Sequence, residues 1–214
     1  MTNEAINEQS IAITQAFRFL EQVWQQIDAL QKTLKEQAIN ASGAKDLGVK
    51  ISNYKASIDC CEDDNASITR SVLDTFEVHR IGKKGRPAPI AYGGFQISLA
   101  PNDAAADEAF FPHVAILLGA QKSCDPWECE EFQLDERYLT TKSDDDDDDD
   151  DDDELWAQDQ SNPARWKAKD HDFLVARVVP LVELKSEQDT QAKIIVPLLE
   201  EIRLMIKAID SDRD

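Results

Sequence analysis

The sequence predicts an α+β fold: a mostly antiparallel sheet of about five strands, packed with a long N-terminal helix and a C-terminal helix. Three observations carry this. Apolar residues recur every seven positions from Ile6 to Leu34, at spacings of three and four from Ile195 to Ile209, and with period two in several segments between. Over 214 residues with 42% apolar content, one substantial core is expected, so the whole of 1–214 reads as a single domain.

The first helix rests on a heptad. Ile6, Ile13, Leu20, Ile27 and Leu34 stand seven apart, with Phe17 and Trp24 on the alternate seam. That second seam then stops, because Gln31 and Ala38 take the next two positions. Two arrangements satisfy such a pattern: a helix lying across its own domain, or a short coiled-coil arm. Asn40-Ala41-Ser42-Gly43, with Gly48 beyond, ends the helix and turns the chain.

A polar stretch ending in Glu62-Asp63-Asp64-Asn65 follows, and then the period becomes two. Val72, Asp74, Phe76 and Val78 share one face and Thr75, Glu77 and His79 the other, a half-buried strand from about Ile68 to Ile81. Gly82-Lys83-Lys84-Gly85 reads as a hairpin tip. On the returning strand Ile90 and Tyr92 are in one phase and Phe95, Ile97 and Leu99 in the other, so a β-bulge is expected at Gly93-Gly94. Pro101 to Glu108 is an acidic, small-residue loop. Val114, Ile116 and Leu118 mark a third strand and Trp127 to Leu134 a fourth. Phe173 to Leu184 is apolar on both parities, as a central strand covered on both faces should be. Ser186 to Asp189 opens the last helix, in which Pro197 should produce a kink or mark the true start.

The formal net charge is −20, and Asp144 to Glu154 supply eleven of the negative charges, leaving −9 for the rest. Ten consecutive aspartates repel one another and resist burial, so about 141–155 is expected to be a disordered acidic loop. A balance this acidic disfavours direct nucleic-acid binding, which depends on Lys and Arg neutralising phosphates. The expected partner is a protein, and a basic one would suit the charge. The chain starts MTNEAINEQS, without a basic and apolar leader, and has no run of eighteen apolar residues, which points to a cytoplasmic protein with no membrane partner.

Cys60, Cys61, Cys124 and Cys129 are then expected to be reduced structural thiols. Vicinal Cys60 and Cys61 diverge awkwardly from one metal, so neither a zinc site nor any other cofactor is expected. His79, His113 and His171 are scattered, none beside a Ser or Cys in a nucleophile motif. His171 has the most suggestive company for proton transfer, within Lys169-Asp170-His171-Asp172.

The basic tip His79 to Arg86, with Lys83, Lys84 and Arg86, is a candidate binding element for an acidic protein or nucleic acid. Its glycine spacing does not match a phosphate-binding loop, and its lysines equally guard a sheet edge. The acidic tract, from Asp144 to Asp153, is the second candidate. Its charge density resembles that of DNA, so a DNA mimic competing for a basic partner is one reading.

Val182-Glu183-Leu184-Lys185 resembles the Glu-x-Lys half of the PD-(D/E)xK nuclease motif. The resemblance covers these four residues, and it implies a divalent metal on Glu183, a water polarised by Lys185, and a further upstream carboxylate, Asp172 or Asp135. If Phe173 to Leu184 is one continuous strand, Asp172 lies about 36 Å from Glu183 and cannot share a metal with it; a turn near Pro180 would remove that objection. No catalytic pattern is complete. The leading expectation is therefore a non-enzymatic interaction protein, an accessory subunit or inhibitor, acting through its sheet edge or long helix. A divergent metal-dependent nuclease using Glu183 and Lys185 is the alternative. The same heptads would serve a homo-oligomer.

Overall fold

The computed structural model describes residues 3–43, 47–59, 71–81, 88–99, 111–120, 156–168 and 173–211. Helix α1 (Asn3–Ser42) is followed by strands β1 (Val49–Asp59), β2 (Ser71–Arg80), β3 (Ala91–Ser98), β4 (His113–Ala120), β5 (Trp156–Asp159), β6 (Asn162–Ala168) and β7 (Leu174–Pro180). A 3-10 turn (Leu181–Glu183) then leads into α2 (Glu187–Thr190), a π-helical segment (Gln191–Ile195) and α3 (Val196–Ser211). The fold is α+β, as expected, but among the described residues its sheet has seven strands rather than five. They run in the order β1-β2-β3-β4-β7-β6-β5, with every neighbouring pair antiparallel. The expected strand Trp127 to Leu134 lies outside the described residues, as do the four cysteines, His171 and the acidic tract.

Three strands came from segments not expected to form them. Val49, Ile51, Tyr54, Ala56 and Ile58 do alternate, but the phase slips once, at Asn53. There Asn53 and Tyr54 stand opposite the single residue Phe76, and Asn53 takes a positive φ of 54°. The bulge expected at Gly93-Gly94 is therefore found in β1 instead. Strands β5 and β6 form a short hairpin whose turn is held by Asp159: its Oδ1 accepts from the Ser161 amide at 2.9 Å and the Ser161 hydroxyl at 2.6 Å.

Strand β3 needs no bulge because both of its faces are covered. Its register against β2 is unbroken from Ser71–Ser98 to Val78–Ala91, and all eight residues are buried. Phe95 and Ile97 join the core beneath the helices, while Tyr92 joins a second apolar cluster on the opposite face, around Trp156 and Leu117. Strand β2 is likewise buried on both faces, since Leu73, Thr75 and His79 are as inaccessible as Phe76 and Val78. Gly93 faces Phe76 across the strand pair, and a Cβ at Gly93 would overlap the Phe76 ring. Gly93→Ala is accordingly expected to cost about 1–3 kcal/mol in urea unfolding, and a Phe76→Leu background, which shortens the side chain, should shrink that cost.

Both helices lie on one face of the sheet. From α1, Ile27, Leu34 and Ala38 enter the core; from the C-terminal helix come Ile194, Ile195, Leu198, Ile202 and Met205. Gln31, which broke the seam, has a reason to be polar: its Nε2 donates to Asp74 Oδ2 at 2.9 Å. Asp74 in turn is the charged residue on the apolar face of β2. Burial pushes its carboxyl above the usual carboxylate range, against the pull of Gln31 and Lys35. Ala38 is fully buried, its small side chain fitting where α1 closes on the core.

The C-terminal helix begins at an N-cap: the Ser186 hydroxyl accepts from the Asp189 amide at 3.1 Å, and Asp189 Oδ2 reaches back past the cap to accept from the Lys185 amide at 3.2 Å. Pro197 thus marks neither start nor stop. It lacks an N–H and its ring crowds the carbonyl four residues back, and the chain meets this with a wide turn: the Val196 amide donates to the carbonyl of Gln191, five residues earlier. The continuous strand expected over 173–184 ends at Pro180, where the 3-10 turn takes over.

Candidate protein-interaction surface

Forty residues make α1 about 60 Å long, longer than the sheet needs. Its C-terminal half packs on the core through Val23, Trp24, Ile27, Leu30 and Leu34. Towards the N-terminus the same stripe loses its cover. Leu20 is half-buried, and then Phe17 and Ile13 are 69% and 58% exposed, with Phe19 at 64% on the stripe's other flank; Ile11, 51% exposed, lies on the opposite side of the helix. At 100° per residue, Ile13, Ala16 and Leu20 fall on the side of the helix that Ile27 and Leu34 bury further along. The first of the two arrangements the heptad allowed, a helix lying across its own domain, holds for the C-terminal half of α1, while the N-terminal half projects with its apolar stripe exposed.

The sheet edges are less inviting. Strand β1, at one edge, carries exposed Lys50 and Lys55 and is interrupted by the Asn53–Tyr54 bulge. At the other edge β5 has only four residues. Lysines, bulges and short strands each discourage a foreign strand from adding to a sheet. Among the described residues, the exposed large apolar side chains Ile11, Ile13, Phe17 and Phe19 lie together on the arm, while Ile39, Ile81, Phe111, Val182, Val196 and Leu204 are scattered over the body.

Glu183 lies on the 3-10 turn, where its Oε2 accepts from Lys193 Nζ at 2.8 Å, both side chains being largely exposed. Lys185 is exposed two residues later, just before the Ser186 N-cap, where its amide donates to Asp189. The turn begins only after the seven extended residues of β7, which span about 20 Å, so it does not remove the distance objection; Asp172 and Asp135, the carboxylates meant to share the metal, lie outside the described residues. Among the described residues no three His, Cys, Asp or Glu side chains come together as a metal site. Lys83, Lys84, Arg86, Asp144 and Asp153 also lie outside the described residues. His79 is buried with its Nε2 2.7 Å from Glu77 Oε2, and Glu77 also accepts from Asn53 Nδ2 at 2.6 Å, tying the bulge to β2. His113 is buried too. Desolvation lowers its pKa, against the pull of the hydrogen bond that its Nδ1 donates to the Phe111 carbonyl.

Charge is also buried where sequence gave no hint of it. Glu201 on α3 is 1% exposed and holds two arginines at once: Oε1 accepts from Arg165 Nε at 2.8 Å and Arg177 Nε at 2.9 Å, and Oε2 from Arg165 Nη2 at 3.2 Å. Arg165 and Arg177 are cross-strand partners on β6 and β7, so one carboxylate clamps α3 to two strands. Asp159 completes the group through Arg165 Nη1 at 3.2 Å. No alternation or spacing marks such a cluster; only the paired strands bring its members together.

Among the described residues no helix is long and apolar enough to cross a membrane. Comparison with known proteins finds no matching family, no matching curated protein and no matching solved structure.

Proposed function

We propose that this chain is a non-enzymatic interaction protein, an accessory or assembly subunit, whose docking element is the N-terminal half of α1. The observation that carries this reading is the apolar stripe that leaves the core near Leu20 and continues through Phe17 and Ile13 in the open. Exposing such residues serves no purpose in a lone folded body, because each would gain about 1.5–3 kcal/mol by burial. A contiguous exposed apolar patch of this kind is the usual mark of an interaction site. The folded body supplies the anchor: Leu34 and Ala38 fix the other half of the same helix rigidly to the sheet.

The test compares affinity capture on the intact protein and on Ile13→Glu/Phe17→Glu from the native host's lysate, with mass spectrometry of what is retained. The intact protein should hold a stoichiometric partner that the variant releases. Equal retention by both would place the contact elsewhere and overturn this reading.

A further inference from the structure

We infer that the partner covering the arm is the same arm of further copies of this chain, gathered into a helical bundle larger than a dimer. This rests on the arm being the docking element, and three features of that arm carry it further.

The first is the width of its apolar sector. Running from Phe19 through Ala16, Leu20 and Ile13 to Phe17, it spans roughly 160° of the helix circumference. A two-stranded coiled coil covers a narrow seam, and a single neighbour would leave either Phe19 or Phe17 in water. Two flanking helices cover such a sector, as in the core of a three- or four-helix bundle. The second is repeat. Ile13, Leu20 and Ile27 keep seven-residue spacing across the boundary between arm and body, so identical helices placed around a symmetry axis meet layer on layer without any change of pattern. Continuity with an interface already built in this chain comes with that spacing, since Ile27 and Leu34 are in the core.

The third is charge. Each copy carries −20, which makes most of its surface hostile to another copy. The arm is the exception: between Gln9 and Asp28 the ionisable side chains are Arg18 and Glu21, and both lie outside the apolar sector. The exposed portions of Ile13, Phe17 and Phe19 come to roughly 400 Å² per copy, so two arms fall short of the roughly 1,000 Å² that a specific interface needs, whereas three or four exceed it. A charged foreign partner recognised by electrostatics would weaken as salt rises. A self-assembly held by apolar contact between highly acidic bodies should tighten instead, because salt screens their repulsion.

Sedimentation equilibrium of the full chain, at about 50 mM and about 500 mM salt, tests this. The expected result is about three or four protomer masses, a dissociation constant at least tenfold tighter at the higher salt, and one protomer mass for Phe17→Glu. Circular dichroism should show that the variant keeps its helices, since Phe17 lies outside the core. A protein that sediments as one or two protomers throughout, or a Phe17→Glu variant that still assembles, overturns the inference. If the chain is monomeric yet Ile13→Glu/Phe17→Glu releases a different captured protein, the inference falls while the docking role of the arm stands. If capture is also unaffected, both fall.

Discussion

Replacing Glu201 with Ala should destabilise the protein by about 3–5 kcal/mol, more than almost any exposed charge could. The carboxylate is 1% exposed and its two arginine partners have side chains only 16% and 17% exposed. Removing it leaves two guanidinium groups facing each other across β6 and β7, with only the more exposed Asp159, 3.2 Å from Arg165, and Glu200, 3.9 Å from Arg177, to offset their desolvation and mutual repulsion. Glu201→Gln keeps the shape and some hydrogen bonding but loses the charge, and should fall between. The converse makes the argument sharper. Replacing Glu201, Arg165 and Arg177 together by apolar side chains of similar volume should cost far less than Glu201→Ala alone, because the penalty belongs to the orphaned charge rather than to the loss of an attraction. Urea unfolding of the four proteins gives this ordering directly. A Glu201→Ala cost below about 1 kcal/mol would show that the site is wet and that the clamp is a surface ion pair.

A second pair of substitutions separates the two halves of α1. Leu34→Ala should cost about 2–5 kcal/mol, as expected for emptying a fully buried position beside Phe76 and the C-terminal helix. Phe17→Ala, on the projecting half of the same apolar stripe, should change the stability of the dissociated protein by no more than about 0.5 kcal/mol. Both are measured at protein concentrations low enough to keep the arms apart, with the urea midpoint as readout and an unchanged slope as the check that the unfolding transition is the same. Equal costs would mean that the arm folds back on the body.

The heptad of α1 shows how much of this protein is written in its pattern. Seven-residue spacing identifies a helix and the side it buries, because 3.6 residues per turn brings those positions onto one stripe. It says nothing of what buries them, and here the cover changes along one helix, from sheet at Leu34 to open surroundings at Phe17. Gln31 and Asp74 look like separate flaws, one in the helix pattern and one in the strand pattern, until folding sets them 2.9 Å apart as a hydrogen-bonded pair. Strand β1 was missed because a single slip at Asn53 breaks its alternation in two, and β5 and β6 because their short, polar runs carry too few apolar residues to show a period.

Periodicity, turn residues and charge were enough to establish the α+β class, the two helices, the β2–β3 hairpin, the apolar β7 and the acidic balance, because each depends on neighbours a few residues apart along the chain. The strand order, the two-sided burial of β3, the Glu201 clamp and the exposure of Phe17 were decided only in the tertiary structure. Each depends on residues tens of positions apart, or on where one surface stops covering another, and local spacing carries no record of either.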